Sequence, residues 1–208
     1  EVEIIRLNSS RPHLAEIPHL FAQITQPKDK DLIIIPRVSS ENRDYIPIDL
    51  LDGSLYKVTD SFFMIATDEP YIFGIVSSRM HLVWTSNVGG KFETRIQYSK
   101  TLCYNTFPFP EISNKQKLNL NEYVFAILDE RAKHPSKTMA QLYNPDTMPK
   151  GLLKAHQELD TAIEQCYRLQ PFKNDTERLE YLFKQYEEMV KKDTLFAKQK
   201  KTRKNKKK

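Results

Sequence analysis

An α+β fold is predicted by three features of this sequence. Residues 32–38, Leu-Ile-Ile-Ile-Pro-Arg-Val, form a β-branched apolar run of strand length. Leu152, Ala155, Leu159, Ala162, Ile163 and Cys166 recur at three- and four-residue spacing, the apolar stripe of an amphipathic helix over 150–168. The character of the chain also changes after Pro110, from β-branched and alternating segments to helical patterns. Together these give a mixed α/β unit with a small twisted sheet over residues 1–112, an α-helical C-terminal subdomain over 113–190, and a basic tail over 191–208.

Taken in order, Pro12, Pro18 and Pro27 interrupt the first segment, leaving room for a helical turn or two between Ile17 and Ile24. The run at 32–38 reads as a buried strand, with Pro36 imposing an irregularity or an edge. Tyr45 to Ile48 reads as a second strand, Asp52-Gly53 as a turn, and Tyr56 to Ala66 as a third strand region interrupted by Thr59, Asp60 and Ser61. Asp68-Glu69-Pro70 is a helix start, a capping carboxylate followed by Pro near the first helical position. One helix follows through Ile72, Ile75, Val76, Met80, Val83 and Trp84, with Gly89-Gly90 as its stop. Beyond the prolines at 108 and 110 come a helix over 121–133, a loop at 144–149, and the helix at 150–168. A last helix opens with Asn174 and Glu177 in capping-box spacing and continues through Leu179, Leu182, Phe183, Tyr186 and Val190.

Composition narrows the chemistry. No apolar run approaches the ~20 residues needed to span a bilayer, and Glu-Val-Glu-Ile-Ile-Arg at the start has no signal-peptide character, so a cytoplasmic piece of a longer protein is expected. Cys103 and Cys166 are far apart and in apolar settings, reading as two free buried thiols rather than a zinc site. The five histidines show no metal-ligand spacing; His81 and His156 read as partly exposed helix residues. There is no phosphate loop, no Gly-x-Gly-x-x-Gly and no Gly-x-Ser-x-Gly elbow. Asn144-Pro145-Asp146 lacks the second proline and the aromatic of an Asn-Pro-Pro-aromatic methyltransferase site. No catalytic residue, metal or cofactor is therefore assigned to this stretch. The net charge of +5 is uneven: residues 191–208 carry ten Lys or Arg and one acid, which leaves residues 1–190 at −4. The tail alone can bind phosphates without sequence preference, or it can be a solvated terminus.

Residues 92–98, Phe-Glu-Thr-Arg-Ile-Gln-Tyr, alternate. As one strand they would turn Phe92, Thr94, Ile96 and Tyr98 to one face and Glu93, Arg95 and Gln97 to the other. Those three tips suit the base edges of a DNA groove: Glu accepts from cytosine, Arg forks onto guanine, Gln pairs with adenine. A half-buried surface strand with a polar outer face has the same pattern.

Three ordered segments carry more than composition: Ile35-Pro36-Arg37-Val38-Ser39-Ser40-Glu41-Asn42-Arg43, Phe73-Gly74-Ile75-Val76-Ser77-Ser78-Arg79-Met80-His81, and Tyr104-Asn105-Thr106-Phe107-Pro108-Phe109-Pro110. Together they resemble the target recognition region of MmeI-type restriction-modification proteins. Leu142 to Pro149, Ala155-His156 with Leu159-Asp160, and Phe172 through Glu177-Arg178 to Phe183 are similar to the C-terminal segment of that family. The resemblance implies a reader of double-stranded DNA attached to upstream nuclease and adenine methyltransferase domains. S-adenosylmethionine and a divalent metal would then belong to the parent protein, not to this region. It also implies base-reading positions at Glu93, Thr94, Arg95 and Gln97, where Gln97 departs from an expected Arg, and near Asp60 and Ser61. Arg37, Ser39, Ser40, Arg43 and Arg79 are the candidates for phosphate contacts, which place a duplex without reading it; an ion pair to Glu41 or Asp44 is the alternative for Arg37 and Arg43. A module that binds nucleic acid without sequence preference, a protein-interaction module, and a small enzyme stay open as other readings.

Overall fold

Leu32, Ile33 and Ile35 are at most 1% exposed because their strand is covered on both faces. In the computed structural model, which describes residues 2–8, 12–16, 26–27 and 29–205 and side chains to residue 192 apart from those of 2, 6 and 14, this strand is β1, Asp31–Pro36. It lies between β3 (Asp49–Asp52) and β4 (Phe62–Ala66) in an antiparallel sheet of order β3-β1-β4. Ile33 faces Leu50 on one side and Ile65 on the other. A second three-stranded sheet has the order β2-β6-β5, from β2 (Val38–Ser39), β5 (Gly90–Phe92) and β6 (Arg95–Gln97). The chain passes from one sheet to the other at Arg37, directly after Pro36. Pro36 thus marks the end of a central strand, where its missing N–H costs no ladder bond.

The helices are α1 (Val2–Leu7), α2 (Pro70–Ser77), α3 (Arg79–Val88), α4 (Asn114–Ala132), α5 (Met139–Leu142), α6 (Lys150–Tyr167) and α7 (Asp175–Asn205). A short 3-10 turn at Pro12–Glu16 and a π-helical turn at Lys100–Tyr104 complete the set. The expected turns at Ile17 to Ile24 lie outside the described residues. Helix α4 packs on α2 and α6, and α3 packs on α6 and α7. Gly74 allows the close approach: a Cβ there would meet Val124 at 3.0 Å and Leu159 at 3.3 Å. One apolar cluster holds Ile33, Phe73 and Trp84 together with Val124, Leu159 and Leu182, so the sheets and the helices share a core.

Several expectations are corrected. Tyr45 to Ile48 is buried but not a strand; Pro47 cannot donate to a ladder, and the pairing begins at Asp49. The third strand occupies only Phe62–Ala66 of its region. The single helix expected between its start at Pro70 and its stop at Gly89-Gly90 is two helices. Ser78 is extended, with φ −76° and ψ 162°, and its hydroxyl accepts from the His81 N–H, capping α3. Pro70 does start α2, yet Glu69 makes no side-chain cap. Helix α4 starts at Asn114, earlier than expected, because Ser113 and Gln116 form a capping box. At α7 the Asn174 side chain accepts from Glu177 N at 3.0 Å, whereas the Glu177 carboxylate accepts from Lys173 N and not from the cap residue. His81 and His156 are wholly buried rather than partly exposed. Cys103 is buried, but Cys166 only half so.

Candidate nucleic-acid interface

The alternation read over 92–98 breaks in its first half. Phe92 pairs with Arg95, so Glu93 and Thr94 are the two-residue connection of a hairpin and not part of one strand. Such tight turns demand a left-handed residue. Glu93 supplies it, with φ 58°, the one non-glycine residue at positive φ among those described. Neither Gly, Asn nor Asp announced the turn, which is why the sequence reads as continuous strand. Phe92, expected in the core, is 51% exposed. From Arg95 onward the alternation holds: Ile96 and Tyr98 are buried, Arg95 and Gln97 exposed.

Register sorts the faces of this second sheet. Val38, Gly90 and Gln97 lie side by side, and Phe92 lies beside Arg95, all on the exposed face. Gly90 leaves room for the amide of Gln97, since a Cβ there would stand 3.0 Å from Gln97 Oε1. Arg95 donates from Nη2 to Glu93 Oε2 at 2.7 Å, and its guanidinium lies 5.0 Å from the Phe92 ring centroid. Both partners are substantially exposed, so the pair contributes at most ~1 kcal/mol and is readily exchanged for another partner. The Thr94 hydroxyl, followed by the backbone of Glu41 itself and the cations of Arg95 and Lys91, holds the Glu41 carboxyl below the usual carboxylate range.

Asp60 and Ser61 are exposed in the turn before β4. Arg37 joins that turn to the hairpin. Its N–H donates to Ser61 O at 3.0 Å, and its carbonyl accepts from Tyr98 N at 2.8 Å. All six candidate base-reading residues are thus solvent-exposed, on two turns linked through one residue.

The candidates for phosphate contact divide. The exposed Arg37 guanidinium lies 4.8 Å from the Phe63 ring centroid and makes no ion pair to Glu41 or Asp44. Arg43 and Ser40 are half-buried; the Ser40 hydroxyl accepts from Asn42 N. Arg43 also lines a cleft of about 330 Å³ with Glu41, Ile96 and the first turn of α7. Two candidates are engaged elsewhere in the fold. Ser39 is 5% exposed and points to the back of the sheet beside Ile96, out of reach of a phosphate. Arg79 spends its fork on Asp175, at 3.2 and 2.6 Å, and on the Asp44 carbonyl, because α3 begins against the start of α7.

A buried polar joint behind the sheets was missed in the sequence. Arg131 donates to Tyr143 Oη at 2.8 Å, to Asp49 Oδ1 at 3.1 Å and to the Ile48 carbonyl at 2.9 Å, with a further bond from Nη2 to Tyr143 Oη. Having accepted twice from Arg131, the Tyr143 hydroxyl gives its own proton to His156 Nε2 at 2.7 Å. His156 is therefore neutral with its proton on Nδ1; burial first, then the Arg131 charge, pushes its pKa well down. His156 stacks on Tyr45, whose hydroxyl donates to Asp160 Oδ2 at 2.6 Å, while Asp160 Oδ1 accepts from Arg79 N at 2.7 Å. Burial raises Asp160 to about 6. A signal existed: Leu120, Val124, Ile127 and Arg131 form one stripe of α4, which puts the arginine in line with core residues.

Among the described residues, no group of three or more His, Cys, Asp or Glu could hold a metal ion, and no helix is long and apolar enough to cross a membrane. Comparison with known proteins gives consistent findings. Residues 1–111 match the family model of the MmeI target recognition domain, and residues 112–194 match that of the MmeI C-terminal domain. DNA methyltransferase A of Bacillus subtilis (strain 168) is 46% identical over 158 residues, which are 76% of this chain and 18% of that protein. The solved structure of the type IIL restriction-modification enzyme MmeI in complex with DNA superposes with a TM-score of 0.81 at 41% identity, covering 91% of this chain and 26% of that one. The chain thus spans about a fifth to a quarter of the length of these relatives. With both family models matched end to end along it, the chain belongs to the MmeI family, as its target recognition domain followed by its C-terminal domain.

Proposed function

We propose that this region reads a specific sequence in duplex DNA and holds the duplex so that an upstream domain of the same polypeptide can methylate a target adenine. The parent is read as a cytoplasmic bifunctional restriction endonuclease and adenine methyltransferase. The observation that carries this reading is the exposed hairpin tip on which Glu93 and Arg95 stand 2.7 Å apart. Across a G·C pair the guanine O6 acceptor and the cytosine amino donor are neighbours in the major groove. An arginine forked onto guanine can keep its carboxylate partner beside the cytosine amino group. Glu93 and Arg95 would then read one G·C pair together, and Gln97, further along the same exposed face, would read an adenine. Thr94, Asp60 and Ser61 complete the candidate base-reading set, and Arg37, Arg43 and Ser40 face the backbone.

S-adenosylmethionine and a divalent metal are implied for the whole protein, but the residues here do not fit either group. No donor set gathers for an ion among the described residues, and the methyltransferase motif is absent. The role of this region is orientation. An adenine turned out of the stack must meet a fixed pocket, which requires a rigid frame; the Arg131 and Asp160 joint is well placed to supply it.

The test is the map of methylated adenines in DNA from cells expressing the parent protein, with and without Arg95→Ala. The expected result is a site relaxed at one G·C position, by roughly 5- to 150-fold, the equivalent of a bidentate contact of ~1–3 kcal/mol. A map unchanged at every position removes Arg95 from the reading set. Binding that shows only a salt slope and no preferred site would favour a sequence-independent module instead.

A further inference from the structure

We propose that the basic segment beyond the matched C-terminal domain is an arm for the phosphodiester backbone of duplex DNA flanking the read sequence, a second contact that rests on the reading of this chain as a DNA recognition region. The C-terminal family model ends at residue 194, and residues 195–208 hold eight Lys or Arg and no acid. The rest of the chain, residues 1–194, has the opposite balance, −3. DNA repels a body of that sign at long range, so attraction must come from local patches or from an attached cationic element.

The fold places that element. Helix α7 runs unbroken from Asp175 to Asn205. Its first turn lines the same cleft as Ile96 of the reading hairpin, and Phe183 and Tyr186 pack on Trp84 with ring centroids 5.2 and 5.6 Å apart. The basic segment is therefore carried by the body that carries the hairpin. At the helical rise, the chain between Tyr186 and Asn205 covers about 28 Å, comparable to about eight base pairs of duplex. The residues interleaved with Lys198, Lys200, Lys201, Arg203 and Lys204 are Gln199 and Thr202, so this stretch reserves no apolar face for a protein partner. Like charges four apart, as at 200 and 204, oppose the helix until counter-charge arrives. Phosphates supply that charge and require no particular base, so the arm contributes affinity and capture without sequence preference.

The test uses the parent protein in three forms: intact, truncated after residue 194, and full-length with the eight basic residues of the segment replaced by Gln. Equilibrium binding is measured across a series of KCl concentrations on a random-sequence duplex and on duplexes bearing the methylated site. The site-bearing duplexes extend either about five or about twenty base pairs beyond that site. With about half of the eight charges engaged, both variants should lower the slope of log K against log salt by about 3–5 on the long duplexes. The short duplex should respond less, and the methylation map should not change. An unaltered slope on long duplexes overturns the proposal, as does an equal loss at both lengths, or a response confined to RNA or to anionic lipid vesicles. The reading hairpin is tested separately by its own map: a map indifferent to Arg95→Ala removes that role and leaves the slope comparison on random duplex intact.

Discussion

Replacing Arg131 by Ala should destabilise the fold by about 3 kcal/mol, the largest loss expected from any single polar side chain described above. Its side chain is 7% exposed, and its guanidinium holds Asp49, the Ile48 carbonyl and the Tyr143 hydroxyl at once, between the Phe73 and Tyr143 rings at 5.3 and 5.0 Å. Truncation strands a carboxylate and a carbonyl and leaves a gap beside two aromatic rings. Breaking a buried pair by removing one partner costs ~3–5 kcal/mol. Asp49 keeps 28% of its side chain in water, which places the loss at the lower end. For a chain of this length that is a fall of roughly 6–12 °C in Tm. Thermal unfolding followed by far-UV circular dichroism, paired with urea denaturation, measures it. Arg131→Lys keeps the charge without the planar fork and should recover less than half of the loss. A deficit under about 1 kcal/mol for Arg131→Ala would refute the view that this joint carries strength between sheets and helices.

Two further outcomes follow from the geometry. Glu93→Gly removes a side chain from the left-handed turn position, so the fold should be unchanged or gain about 1 kcal/mol while discrimination at the G·C position falls; a loss above about 1 kcal/mol in urea melts would show that the carboxylate supports the fold. Asp160 is raised from 3.8 to about 6, so the folded protein holds a proton over a range where the unfolded chain has released it, and its contribution to stability declines as pH rises through that window. Asp160→Asn removes the titration, and the stability of the variant relative to the parent chain should improve by ~1–3 kcal/mol between pH 4 and 7; a constant difference across that range would refute the assignment.

Much of the frame was legible because burial leaves a strong imprint on sequence. Leu32 to Ile35 read as a covered strand and were one, and the stripe from Leu152 to Ile163 read as a helix face and was one. What escaped were departures from regular patterns. The Ser78 cap splits a helix whose apolar spacing continues across the break, so periodicity alone could not find it. The Glu93 turn carries none of the usual turn residues. His81 and His156 look like surface residues until tyrosine hydroxyls, from Tyr98 and Tyr143, are seen to bond the Nε2 of each in the core. At the site, alternation correctly placed Arg95 and Gln97 outward, whereas the surroundings of Ser39 and Arg79, a sheet back and Asp175, come from distant parts of the chain and leave no local pattern.

The seam at Arg37 has a mechanical consequence. A single residue ties the Asp60 turn and the hairpin strand to each other by its two main-chain groups, so the two tips behave as teeth of one key. Recutting either tooth leaves the other at its height, and substitutions at the two tips should combine additively. A backbone change at the seam, such as Arg37→Pro, would instead remove the N–H bond to Ser61 and release the Asp60 turn from the hairpin.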